Sequence, residues 1–254
     1  MAATDTSVQS VPGVAPPAAS DAYFSCEDVH AYYGESYIVQ GISFHVREGE
    51  VIALLGRNGA GKTSTLRTIA RADAPQLRRG RITLGGAALH KMAAFEAAAS
   101  GVQLVPEDRR IIPGLTVEEN LKLSQIAPPI GWPIEKVYER FPRLAERRRQ
   151  EAVTLSGGEQ QMLAVARALC RELKLLLLDE PYEGLAPVIV QEIESIVGEI
   201  KELGITTIMV EQNAIAALHL ADRAIIMDMG EIVFEGSAQS VLDDKKLRED
   251  YLAV

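Results

Sequence analysis

Two kinds of apolar pattern organise the chain. Residues 51–55 (VIALL), 175–178 (LLLL) and 205–210 (ITTIMV) are short runs with little polar interruption, as expected of strands buried on both faces. Ile42, Phe44 and Val46 instead alternate with Ser43 and His45, the period of a half-buried strand, inside a strand-like stretch from Tyr23 to Val46. Residues 81–84, ahead of Gly85-Gly86, and residues 102–105 predict further strands. Residues 223–227 and 231–234 flank a turn at 228–230 and predict a hairpin. Helical signals fall between these runs. They start at Lys62, cover an alanine-rich piece at 91–100, and resume at Thr116, where T-x-x-E is a capping box for a helix to Gln125. Pro133, as a first-turn proline, opens a charged helical stretch to about Gln150. Further helices are predicted from Ser156 to about Leu173, from Pro187 to Leu203 with Gly204 as the stop, over 214–222 and over 237–252. Alternation of strand and helix makes the fold class α/β, with residues 106–155 a helical insertion.

Chemistry gathers where apolar runs end. After residue 55 the chain reads GRNGAGKT and enters a helix, the context the phosphate-loop pattern requires. Glycines at 56, 59 and 61 let the backbone turn sharply and approach a ligand. The amides of Gly56, Arg57, Asn58, Gly59, Ala60 and Gly61 then face one concavity at the positive end of a helix. Lys62 supplies a cation for phosphates and Thr63, followed by Ser64, a hydroxyl for Mg²⁺. Residues 175–178 end in Asp179-Glu180-Pro181. Carboxylates are costly to bury without a cation or a proton to handle, so Asp179 is a metal-side candidate and Glu180 a general-base candidate; a solvated acidic turn is the competing view. Ser156 and Glu159 form a second capping box. Adjacent glycines in its first turn each cost about 1 kcal/mol, which points to a close approach of an anion to Gly157 and Gly158. Tyr33, beside Gly34, reads as packing or as a platform for a purine ring, and the local pattern by itself favours packing.

Composition narrows the partners. The chain has 254 residues, 47% of them hydrophobic, and a formal net charge of -9, which argues against broad binding to nucleic acid or to an acidic membrane surface. Arg147-Arg148-Arg149 is the densest basic run and reads as a solvated helix face. Cys26 and Cys170 fit no metal or redox spacing and read as buried thiols in a reducing compartment. No apolar run reaches the ~18–20 residues of a membrane span. Residues 1–22, rich in Ala, Pro, Ser and Val, predict a disordered lead-in rather than a secretory signal. A cytoplasmic location follows as the expectation.

Taken together, GRNGAGKT, LSGGEQQ and LLLLDE resemble the Walker A loop, signature and Walker B strand of the ATP-binding subunit of an ABC transporter, over the chain from about Tyr23. The resemblance implies a RecA-like phosphate-loop core, an antiparallel β subdomain and a small helical subdomain at about 90–165. By the same resemblance Tyr33 stacks on adenine, Lys62 and Thr63 hold phosphates and Mg²⁺, Asp179 and Glu107 stand on the metal side, and Glu180 polarises the attacking water. Ser156, Gly157 and Gly158 would contact the γ-phosphate of ATP bound by an opposing subunit. Two positions depart from the common pattern: Glu107, in PEDRR, replaces a glutamine, and Gln212, in VEQN, replaces a histidine. Gly184-Leu185-Ala186 also lacks the aspartate usual there.

These departures look like the second ATPase subunit of branched-chain amino acid importers. That implies a distinct sister ATPase, two transmembrane permease subunits, an indirect periplasmic solute-binding protein, and a place on the inner face of the cell membrane. Gln212 is expected to serve turnover without adding pH sensitivity, because an amide does not titrate. The rival class is a soluble ABC-type ATPase with a non-transport role, which would carry a second ATPase unit or a long coiled coil. A small-molecule kinase would give LSGGEQQ no role.

Overall fold

The computed structural model describes residues 9–10, 22–126 and 131–252. Its strands are β1 (Gln9–Ser10), β2 (Phe24–Tyr33), β3 (Ser36–Val46), β4 (Val51–Leu55), β5 (Gln76–Leu84), β6 (Val102–Val105), β7 (Leu175–Asp179), β8 (Thr206–Val210), β9 (Arg223–Asp228) and β10 (Glu231–Ser237). The helices are α1 (Lys62–Ile69), α2 (Ala94–Ala99), α3 (Val117–Ser124), α4 (Ile134–Arg140), α5 (Pro142–Glu146), α6 (Gly157–Leu169), α7 (Pro187–Glu202), α8 (Ala214–Leu220), α9 (Ala238–Asp243) and α10 (Lys245–Tyr251). One sheet runs β1-β10-β9-β4-β8-β7-β6, and a second, antiparallel one runs β3-β2-β5.

The phosphate-loop strand β4 is central, and β9, β4, β8, β7 and β6 are all parallel. Their pleat explains the uninterrupted apolar runs. Ile52, Leu54, Leu175, Leu177 and Ile208 point into one core, shared with α1 and the antiparallel sheet (Phe24, Phe44, Leu66, Ile69). Ala53, Leu55, Leu176, Leu178 and Met209 point into the other, shared with α3–α8 (Leu121, Phe141, Met162, Ile196). Each strand is thus covered on both faces and needs apolar residues at consecutive positions.

Parallel pairing also fixes where chemistry can gather. Leu54 pairs with Val210, Asp179 with Val210, and Val105 with Leu178. The carboxyl ends of β4, β8, β7 and β6 therefore lie along one edge, and the loops leaving them meet there.

Several expectations need correction. The charged helix expected from 133 to 150 is two helices, because Pro142 lacks the amide that would continue α4 and disfavours helical backbone at Phe141 (φ -120, ψ 71). Arg147-Arg148-Arg149 lies in the turn after α5, not on a helix face, and Arg147 Nε sits 2.7 Å from Glu159 Oε1. The terminal helix is likewise two, parted at Asp244, whose side chain accepts from Leu247 N and caps α10. Within the expected lead-in, Gln9 and Ser10 form a parallel strand against Phe234 and Glu235; residues 1–8 and 11–21 lie outside the described residues. Cys26 and Cys170 are free and buried, as the sequence suggested. Among the described residues no helix is long and apolar enough to cross a membrane.

Candidate functional site

The loop from Gly56 to Gly61 joins β4 to α1 and wraps close to the β9–β10 turn. A Cβ on Gly56 (φ 143) would lie 2.2 Å from the Met227 carbonyl oxygen, so only glycine fits there. Gly230 N donates to Ala60 O at 3.0 Å and closes the loop from outside. Lys62, almost fully buried, donates through Nζ to Gly56 O (2.8 Å) and Arg57 O (3.1 Å), holding the loop from inside. Burial pushes its pKa down, while Glu180, Asp179 and Glu211 pull it back up.

Tyr33, Asn58, Gly59, Ala60, Gly61, Lys62, Thr63, Ser64, Glu107, Glu180 and Gln212 line a single cavity of about 410 Å³. The sequence placed all of them in the site, and the parallel strand ends bring all but Tyr33 there. Gly56 and Arg57 stand behind its wall, bonded to Lys62 Nζ. Tyr33 reaches the cavity from the β2–β3 hairpin.

Beneath the cavity Thr63 Oγ1 donates to Asp179 Oδ1 at 2.8 Å. Asp179 is fully buried, and burial raises its pKa against that bond. Its second oxygen, Oδ2, is buried with no hydrogen-bond partner among the described residues. A carboxylate oxygen so placed is costly unless a cation meets it. Among the described residues no group of His, Cys, Asp and Glu is dense enough to hold a metal by itself. The donor set therefore suits a cation whose remaining ligands come from phosphate and water, as Mg²⁺ requires.

Glu180 follows β7 in left-handed backbone (φ 49), a conformation that costs a non-glycine residue of order 1–3 kcal/mol. Two contacts with the β8 end hold it. Its amide donates to Val210 O at 2.9 Å, and Gln212 Nε2 donates to its Oε2 at 2.6 Å. Gln212 thus grips the carboxylate directly.

Glu211 is the residue the sequence reading missed. It is 3% exposed and accepts the amide of Tyr182 at 2.8 Å, two residues beyond Glu180. The argument applied to Asp179 and Glu180, carboxylates at the end of a buried strand, applied equally here. Burial is the main cause that pushes the Glu211 carboxyl up to about 8, against the hydrogen bond from Tyr182 and with further help from Glu180. Between the ordinary value of 4.5 and about 8 the folded chain holds a proton that the unfolded chain has lost. Stability from this group is complete below the lower value and is lost as pH rises through the upper one. We therefore expect Glu211→Gln, whose amide oxygen can still accept the Tyr182 amide, to flatten the decline of stability between pH 5 and 8. The gain at pH 8 should be on the order of 2 kcal/mol. Urea titrations at several pH values check this, and parallel curves for the two proteins would contradict it.

Ser156, Gly157 and Gly158 do not join the cavity. They open α6, where Ser156 and Glu159 close a reciprocal cap: Ser156 N and Oγ donate to Glu159 Oε2 at 2.9 and 2.8 Å. Burial opposes the charge of Glu159, but the Ser156 bonds and Arg147 outweigh it and hold its pKa below the ordinary carboxylate value. The two glycines have reasons within the chain besides any ligand. A Cβ on Gly158 would lie 2.9 Å from the Ile189 side chain, and one on Gly157 would lie 3.2 Å from Arg109 Nη1.

Fold and site together define a phosphate-loop ATPase: a glycine loop with a buried lysine, a Thr–Asp pair with a free carboxylate oxygen, and a held glutamate over one cavity. The family model for ABC transporter matches residues 39–183. The chain is 42% identical over 231 residues to the high-affinity branched-chain amino acid transport ATP-binding protein BraG of Pseudomonas aeruginosa, covering 90% of this chain and 98% of that one. It is 30% identical to the probable branched-chain amino acid transport ATP-binding protein LivF of Archaeoglobus fulgidus, over 87% of this chain and 94% of that one. Among solved structures, the ADP conformation of an ATP-binding cassette of an ABC transporter superposes with a TM-score of 0.74 at 26% identity, over 90% of this chain and 97% of that one. The chain belongs to the ABC transporter family and is its ATP-binding, ATP-hydrolysing cassette.

Proposed function

We propose that this chain is one of two ATPase subunits of an importer for branched-chain or closely related amino acids, and that it lies on the cytoplasmic face of the membrane. The observation that carries the reading is the meeting of Lys62, Glu107, Glu180 and Gln212 on one cavity. PEDRR and VEQN, which put Glu107 and Gln212 there, resemble the second ATPase of such importers, and the similarity to BraG and LivF supports the same solute class.

In this reading Tyr33 stacks on adenine, and the amides of residues 56–61, with Lys62 and Ser64, hold the phosphates. Thr63 and Asp179, with Glu107 on the far side, would hold Mg²⁺, which neutralises charge on the phosphates when bound. Glu180 accepts the proton of the attacking water, and Gln212 fixes the carboxylate for that task. Its bond to Oε2 leaves Oε1 to meet the water. Ser156, Gly157 and Gly158 would meet the γ-phosphate of ATP held by a sister ATPase, so each site is completed across a dimer.

Transport requires docking on membrane subunits. A groove of about 480 Å³ runs between the loop after β6 and helices α3 and α6, lined by Leu104, Ile112, Leu123 and Ala168 among others. Leu123, one of its lining residues, is exposed. In this reading the groove, which mixes those apolar residues with arginines such as Arg110 and Arg167, would receive two permease subunits that take solute from a periplasmic binding protein. The test is purification of the tagged chain in mild detergent from its own cells. Two permeases and a distinct sister ATPase should accompany it. Recovery as a homodimer free of membrane proteins would favour a soluble ATPase with a non-transport role.

A further inference from the structure

The loop that leaves β6 toward the site turns through two consecutive left-handed residues that are not glycine, Arg109 (φ 57) and Arg110 (φ 44). Such backbone persists only where its surroundings hold it, and it collects at sites whose geometry matters. Here α6 does the holding. Arg167, from that helix, donates through Nη1 to Arg110 O at 2.6 Å, and Arg109 Nε donates to Gln161 Oε1 at 3.3 Å.

The left-handed turn aims the Arg109 guanidinium at helix α6 and at the turn after Glu180 at once. Besides Gln161 it reaches Glu183 O, through Nη2 at 3.5 Å, in the turn that follows Glu180. Nη1 lies over Gly157, where a Cβ would come within 3.2 Å. Gln161 is 2% exposed, and its amide nitrogen has no partner among the described residues, so Arg109 is what its side chain is held by. A planar fork with donors on three separate nitrogens can bridge acceptors that diverge in this way, whereas a lysine donates from a single point and cannot span them. The charge itself gains nothing from the helix end, since a cation is disfavoured at an α6 N-terminus. The bridge is the reason for the residue.

We propose that Arg109 is a positioning residue for the composite ATP site. It ties the loop bearing Glu107 and the turn after Glu180, which serve this chain's own nucleotide, to the turn Ser156–Gly158, which serves the sister's. The two half-sites then move as one unit when ATP closes the dimer. This rests on the composite-site reading above.

The test uses the assembled transporter with Arg109→Ala, Arg109→Lys, Gln161→Ala and the double variant Arg109→Ala/Gln161→Ala. Arg109→Ala should lower kcat on the order of tenfold and reduce the cooperativity of turnover in ATP. The isolated chain should bind a fluorescent ATP analogue within about twofold of wild type, because Arg109 does not line the cavity. Arg109→Lys should stay within about threefold of Arg109→Ala. The double variant should lose no more than Arg109→Ala alone, the signature of one shared interaction. Should Arg109→Ala not fold, Arg109→Gln carries the same comparison. A wild-type kcat in Arg109→Ala, a loss matched by weaker binding in the isolated chain, or full rescue by lysine would overturn the proposal. Failure of this inference is separable from failure of the ATPase reading. In the first case Glu180→Gln still abolishes hydrolysis; in the second it does not.

Discussion

Glu180→Gln is expected to bind ATP as the wild type does and to hydrolyse it on the order of 10²–10⁴ times more slowly, the usual contribution of a positioned general base. The substitution replaces one carboxylate oxygen with an amide nitrogen and keeps the shape. Lys62, Thr63 and the loop amides remain in place, so affinity survives. What is lost is the acceptor for the water's proton. The Gln212 bond makes the expectation sharper. Gln212 Nε2 donates to Oε2 at 2.6 Å, and a glutamine at 180 can keep that bond through its own amide oxygen. Its NH₂ group then faces the water and cannot take a proton from it. ATP should remain unhydrolysed in a closed dimer, read as nucleotide retained through gel filtration. Hydrolysis at the wild-type rate would remove Glu180 from the mechanism and leave Asp179 or Glu107 as the base.

Lys62→Ala should fail differently, losing binding as well as turnover. Lys62 is the cation of the cavity, and it also closes the loop through Gly56 O and Arg57 O. Its removal leaves Glu180 and Asp179, two carboxyl groups that act on it, without a counter-charge where phosphates must enter. We expect turnover to fall on the order of 10²–10³-fold, the cost of removing one group aimed at developing charge, together with weaker nucleotide binding. Lys62→Arg should not rescue it, because a planar guanidinium cannot sit as a compact point charge between those two carbonyls. Steady-state ATPase and fluorescent-nucleotide titrations read both effects. A variant with normal affinity and reduced kcat alone would mean that Lys62 acts only in the transition state.

What was legible in the sequence follows from how local each feature is. The phosphate loop is strand, turn and helix in immediate succession, a local pattern, although Gly56 and Gly61 also answer to the distant backbone of Met227 and Ile38. The continuous runs at β4, β7 and β8 announced a parallel sheet, and its carboxyl edge then gathered Lys62, Glu107, Glu180 and Gln212. The split at Pro142 was legible too, since proline's missing amide is a local fact, yet the charged pattern around it obscured the break. The pairing of Gln9 and Ser10 with Phe234 and Glu235 depends on a strand more than two hundred residues away and leaves no local trace. Gly157 and Gly158 were read as room for an anion, whereas Arg109 and Ile189 already crowd them from distant loops. Glu211 was masked by its neighbour. Attention fell on Gln212, which cannot titrate, while the carboxyl beside it is the group whose proton depends on pH.

The most direct measurement of the whole account is uptake in proteoliposomes that contain the purified transporter with ATP sealed on the side of this chain. Labelled branched-chain amino acids presented with the binding protein on the other side should accumulate against their gradient with the wild-type chain, and not with Glu180→Gln. Accumulation that persists with Glu180→Gln while the sister ATPase is also disabled, or an assembled complex that hydrolyses ATP and moves no amino acid, would contradict it.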